Sequence, residues 1–107
     1  MAGSVALAVG GVGDKLVENL VDYAGTIQTA PSDGNEAAGM GPVISAEHKS
    51  RVAAALDTAK DEGAEVALDG RGVDAGDSFL LGPSVIDKVT TEMSAWKNEI
   101  FGPVLSV

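Results

Sequence analysis

The chain has 107 residues, 45% of them apolar, with 16 acidic against 7 basic side chains and a formal charge of −9. That length gives one domain or part of one. The apolar fraction is too high for a disordered tail, and the excess of carboxylates leaves no basic face for nucleic acid or an anionic membrane. Cysteine is absent and histidine occurs once, as His48, so disulfides, thiolate chemistry and histidine-rich metal sites lie outside what these residues can build.

Ser4-Val5-Ala6-Leu7-Ala8-Val9 is an apolar run without alternation, the pattern of a strand buried on both faces of a parallel sheet. No basic residue precedes Lys15, unlike a secretion signal, and no run reaches the roughly 18 apolar residues of a membrane span. The expected setting is cytoplasmic. Gly10-Gly11-Val12-Gly13 follows, but Leu16 stands where a dinucleotide loop of the G-x-G-x-x-G type needs its third glycine. Asp14 is placed to cap a helix whose apolar stripe is Leu16, Leu20, Ala24 and Ile27, with Glu18, Asn19 and Asp22 opposite. Tyr23 borders the stripe as a packing residue.

From Ala30 to Val43 the breakers Pro31, Asp33, Gly34, Asn35, Gly39 and Pro42 predict a loop. Gly41-Pro42, Gly82-Pro83 and Gly102-Pro103 share no fixed period, so no internal repeat is read from them. Ser45 begins a second helix, Gly63 ends it, and Val52, Leu56 and Ala59 form its stripe, widened by Ala53 and Ala55. Glu65 to Leu68 is a short strand closed by a turn at Asp69-Gly70. Arg71 to Ser78 is expected as a mobile surface loop. Phe79 to Ile86 reads as a strand that Gly82-Pro83 interrupts, hence an edge or a bulge. Thr90 or Thr91 caps a helical turn through Trp96, and the chain returns to strand from Ile100 to Val107. The apolar run close to Met1 and the stop at Val107 in mid-strand give the expectation of one unit truncated at both ends.

The chemistry concentrates in Asn98-Glu99-Ile100-Phe101-Gly102-Pro103-Val104. On an extended backbone Glu99 and Phe101 share a side. A carboxylate there can accept hydrogen bonds from two sugar hydroxyls, with a ring beside it to pack on sugar or base. The same spacing also describes a polar lead into a strand followed by a core phenylalanine.

These residues resemble the Glu-Ile-Phe-Gly-Pro motif of the NAD(P)-dependent aldehyde dehydrogenases. The resemblance extends over all 107 residues: Met1 to Gly10 resembles the stretch after the catalytic cysteine, Asp14 to Ala24 the helix that follows, and Asp61 to Arg71 the family's helix-to-strand segment. Phe79 to Val89 and Glu92 to Val107 resemble the run into the motif. In tone it is similar to the methylmalonate-semialdehyde dehydrogenases, a CoA-acylating branch.

The resemblance implies an α/β fold, part of the aldehyde dehydrogenase catalytic domain, with a mostly parallel sheet flanked by helices. It implies an oxidoreductase using NAD, with NADP not excluded and CoA as a co-substrate, acting on a small aldehyde as a homo-oligomer. The nucleophilic cysteine would lie immediately before Met1, so no catalytic residue falls within the chain and the chain alone is expected to be inactive. Glu99 would bind the nicotinamide ribose and Phe101 the nicotinamide side of the pocket, with His48 and Arg51 where the family places contacts to cofactor ribose. As residue types, His48 and Arg51 equally suit a solvated helix face. Asn98 departs from the family's second glutamate, which puts local pairing beside Glu99 in question. The rival expectation is a small acidic α/β interaction module without catalysis.

Overall fold

In the computed structural model of the protein, residues 3–73 and 79–107 are described. Helix α1 runs Gly13–Gly25 and α2 Ala46–Asp61, followed by strand β1 at Glu65–Leu68 and a 3-10 turn at Gly70–Gly72. Strand β2 is Ser84–Asp87, α3 Ser94–Lys97 and β3 Val104–Ser106. The strands lie in the order β1-β2-β3, with β1 antiparallel and β3 parallel to β2. The described sheet is therefore mixed, with the Val5–Ser106 bridge parallel like the β2–β3 pairing. After β2 the chain crosses back through α3 to reach β3.

The stripe on α2 behaves as its spacing demands. Val52, Leu56 and Ala59 are fully buried and pack with Leu81, Ile86, Met93, Ala95 and Val104. Val85, next to Ile86 on β2, is buried outside that cluster, as strand alternation requires, and α1 packs on β1 and β2. The sheet is thus covered on both faces. Ser45 caps α2 by accepting the His48 amide at 3.1 Å, and Gly63 follows its end with φ +104, a conformation that favours glycine.

Several expectations need correction. Ser4–Val9 is not a buried strand: only Val5 bridges Ser106, through Ala6 N–H to the Ser106 carbonyl and Ser106 N–H to the Ser4 carbonyl. Beyond that pairing Leu7 and Val9 are 75% and 84% exposed, with no described strand against them. Asp14 is not the cap of α1; Val12 holds that position without a side-chain bond, and Asp14 stands in the first turn, where its charge suits the helix dipole. Pro83 does not mark an edge. It immediately precedes β2, the central strand, so its missing N–H takes no ladder bond away, and the irregularity sits on β1 between Val66 and Leu68. Of the expected loop at 71–78, residues 74–78 lie outside the described residues. Arg71 is half-buried and paired with Asp57 at 2.5 Å and Asp69 at 2.6 Å, which holds Asp69 below the usual carboxylate range.

The short helix α3 is not capped by Thr90 or Thr91. Glu62, just past the end of α2, accepts from the Ser94 hydroxyl at 2.5 Å and from the Ser94 amide at 2.7 Å. These bonds lower the Glu62 pKa below its ordinary value of 4.5, the hydroxyl bond first and the amide next. Because the folded value is the depressed one, this contribution is complete above about pH 4.5 and is lost as pH falls through the folded value. An NMR acid titration should therefore show the Ser94 amide resonance constant from neutral pH down to the carboxylate range and moving only below it. In Glu62→Ala that acid transition should be missing; its persistence would remove Glu62 as the cap.

Candidate functional site

The site is built on the run from α3 to β3. Helix α3 ends at Lys97, and Asn98 is extended, with φ −120 and ψ 139. The chain then leaves the extended region, since Phe101 has φ +54. Glu99 and Phe101 therefore do not repeat along one side of a strand as the spacing predicted. A bulky side chain in the left-handed region costs about 1–2 kcal/mol and persists only where its surroundings enforce it.

Those surroundings are specific. The Phe101 carbonyl accepts from His48 Nε2 at 2.7 Å, and the two rings meet edge to face at 6.3 Å and 78°. Gly102 lies so close to α2 that a Cβ there would stand 2.6 Å from Val52 Cγ2. The Pro103 carbonyl accepts the Ser84 amide at 2.8 Å, tying the turn to the head of β2. On the helix, Arg51 Nη2 donates to His48 Nδ1 at 2.7 Å. Guanidinium can only donate and a carbonyl can only accept, so both contacts are satisfied together by the tautomer that carries its proton on Nε2.

Two open grooves meet at Glu99. The smaller, of about 340 Å³, runs between α2 and α3 past Arg51, Ala54, Thr58 and Asn98. The larger, of about 700 Å³, is bordered by Gly3, Ser4, Trp96, Glu99, Phe101 and Ser106. The Phe101 ring is 72% exposed along this cleft. Within these residues Phe101 is therefore held on a positive-φ backbone and outside the described core.

All four residues singled out in the sequence thus gather at one place. His48, Arg51 and Phe101 are linked by direct contacts, and Glu99 shares a groove with Arg51 and a cleft with Phe101. Trp96, which the sequence reading placed only at the end of a helical turn, is 40% exposed and lines the larger cleft. Sequence reasoning passed over Glu62, whose partner lies 32 residues away. No spacing rule reaches across that separation. Among the described residues no cluster of His, Asp and Glu is arranged for a metal ion, and no helix is long and apolar enough to cross a membrane.

The pattern of the aldehyde dehydrogenase family matches residues 1–107. The chain belongs to that family. Malonate-semialdehyde dehydrogenase 1 of Geobacillus thermodenitrificans is 43% identical over 109 residues, covering all of this chain and 22% of the relative. Among solved structures, methylmalonate-semialdehyde dehydrogenase from Oceanimonas doudoroffii superposes with a TM-score of 0.90 at 37% identity, over 96% of this chain and 22% of that one. Betaine aldehyde dehydrogenase from Staphylococcus aureus, solved in complex with NAD+, gives 0.90 at 35% identity over 98% of this chain and 21% of that one. The chain therefore spans about a fifth of the length of the relatives it matches, and its α/β fold is a portion of the aldehyde dehydrogenase catalytic domain. The family match along the whole chain favours the aldehyde dehydrogenase reading over the interaction-module reading.

Proposed function

We propose that residues 1–107 form one partial unit of an NAD-dependent aldehyde dehydrogenase and supply the wall of its active site that receives the nicotinamide end of the cofactor. The observation behind this reading is that Glu99, Phe101 and Gly3-Ser4-Val5 border one cleft. The family resemblance puts the nucleophilic cysteine directly before Met1, so that cleft would bring cofactor groups and nucleophile to the same space.

The residues present fit the cofactor. Glu99 is exposed and stands where both grooves open, free to accept from two ribose hydroxyls at once, and the Phe101 ring offers a flat apolar surface for the nicotinamide. Arg51 and His48 complete the cofactor-side set from α2. When bound, NAD supplies the acceptor for the hydride leaving the aldehyde carbon. This chain holds and orients that acceptor, and the nucleophile acts from elsewhere.

The substrate class is a short semialdehyde bearing a carboxylate, as the names of the malonate- and methylmalonate-semialdehyde relatives indicate; CoA as the acceptor of the acyl group follows from the resemblance to the CoA-acylating branch. The complete enzyme is read as a cytoplasmic homo-oligomer, with no nucleic-acid or membrane partner. The 107-residue chain alone is inert, because most of the cofactor cleft lies outside it.

The test is a hybrid in which this chain replaces the matching segment of the Geobacillus thermodenitrificans enzyme. The folded hybrid should bind NAD saturably and oxidise malonate semialdehyde, while the 107-residue chain titrated alone should do neither. A folded hybrid that no longer binds NAD would contradict the assignment.

A further inference from the structure

The imidazole of His48 has no nitrogen left for a ligand. Nε2 is given to the Phe101 carbonyl and Nδ1 receives Arg51. Its position is itself fixed, since the His48 amide is the one that Ser45 caps at the start of α2. The group it holds, the Phe101 carbonyl, belongs to a bulky residue with positive φ, a conformation with a standing cost. The neighbouring contacts do not supply what His48 supplies. Gly102 against Val52 sets how close the turn comes to α2, and Pro103 with Ser84 sets where it joins the sheet. Neither determines which way the peptide after Phe101 faces.

We infer that His48 is a positioning residue: through its Nε2–H it fixes the left-handed backbone of Phe101 and so aims the exposed ring into the cleft, with Arg51 locking the required tautomer. The inference rests on the reading of that cleft as the nicotinamide side, and it gives His48 a role in cofactor binding exercised through Phe101 rather than by touching ribose. Glu62 anchors the other end of the same segment at Ser94, so α2 holds residues 94–101 from both of its ends.

Two substitutions separate this role from general stability. His48→Gln can place an amide donor near the position of Nε2 and an acceptor toward Arg51. His48→Asn keeps only the nearer polar group and is too short to reach the Phe101 carbonyl. In the isotopically labelled 107-residue chain without ligand, the Phe101 and Gly102 backbone resonances should move in His48→Asn and return close to wild type in His48→Gln, while the Val52 and Leu56 methyls stay in place. In the full-length hybrid, NAD affinity by calorimetry should fall about tenfold in His48→Asn, the equivalent of one hydrogen bond of about 1.4 kcal/mol, and recover to within about twofold in His48→Gln.

Unmoved Phe101 resonances in His48→Asn, or an equal loss of affinity in both variants, would overturn the inference. Glu99→Gln in the same hybrid serves as the separate control. If NAD binding is indifferent to Glu99 the cofactor reading fails, whereas the resonances of Phe101 report on His48 with no cofactor present.

Discussion

Gly70→Ala is expected to destabilise the chain by at least about 3 kcal/mol, a large effect for a methyl group. The Gly70 carbonyl accepts the Gly82 amide at 2.9 Å, and its own amide donates to the buried Ser84 hydroxyl at 2.9 Å. A Cβ on Gly70 would be driven into the Gly82 carbonyl, with the Pro83 carbonyl close behind. What it meets is backbone, which cannot rotate aside as a side chain would, and that backbone leads directly into central β2. The requirement is for space, so alanine suffices to break it. Ser84→Ala, which leaves the Gly70 amide buried without its acceptor, should cost about 1–3 kcal/mol. Denaturant midpoints at constant m-value measure both, and a Gly70→Ala chain within about 1 kcal/mol of wild type would contradict the packing described. The effect should reach the site, because the same Ser84 donates its amide to Pro103 at the foot of the Phe101 turn.

Glu99→Ala in the full-length hybrid is expected to lower NAD affinity by about a hundredfold and Glu99→Gln by about tenfold. Each hydrogen bond from a sugar hydroxyl to a carboxylate is charge-assisted and stronger than its neutral counterpart. Glutamine retains one acceptor and no charge, so it should lose less than alanine does. Glu99 is exposed, and its carboxylate makes no hydrogen bond or ion pair among the described residues. Both variants should therefore keep folding stability within about 0.5 kcal/mol of wild type. Calorimetric titration of NAD beside a denaturant curve separates the two effects. A loss of binding that tracks a loss of stability would mean that Glu99 acts through the fold.

What was legible in the sequence follows a physical division. Helix α2 was readable from end to end because its signals are local: Ser45 as cap, the Val52-Leu56-Ala59 stripe, and Gly63 as stop. Ser4–Val9 misled, since an apolar run reports affinity for a covered face and not what covers it. Glu99, Phe101, His48 and Arg51 were singled out in the sequence and lie close together, yet the geometry between Glu99 and Phe101 was not legible, because period-two alternation presumes an extended backbone and Phe101 departs from it. That departure depends on a contact between residues 53 positions apart, His48 and Phe101. Glu62 with Ser94 and Gly70 with Gly82 are of the same kind, distant partners whose side chains or missing side chains look unremarkable in sequence. Local patterns specified the elements, and long-range contacts at their ends specified the site.

The central claim is that this segment presents Glu99 and Phe101 to the nicotinamide end of NAD. A crystal structure of the hybrid enzyme with NAD bound tests it most directly. The expected result is the Glu99 carboxylate within hydrogen-bonding distance of the nicotinamide ribose hydroxyls, with the Phe101 ring against the nicotinamide and His48 still bonded to the Phe101 carbonyl. NAD seated with its nicotinamide ribose held by other residues, and the Glu99 cleft filled only by solvent, would contradict the account.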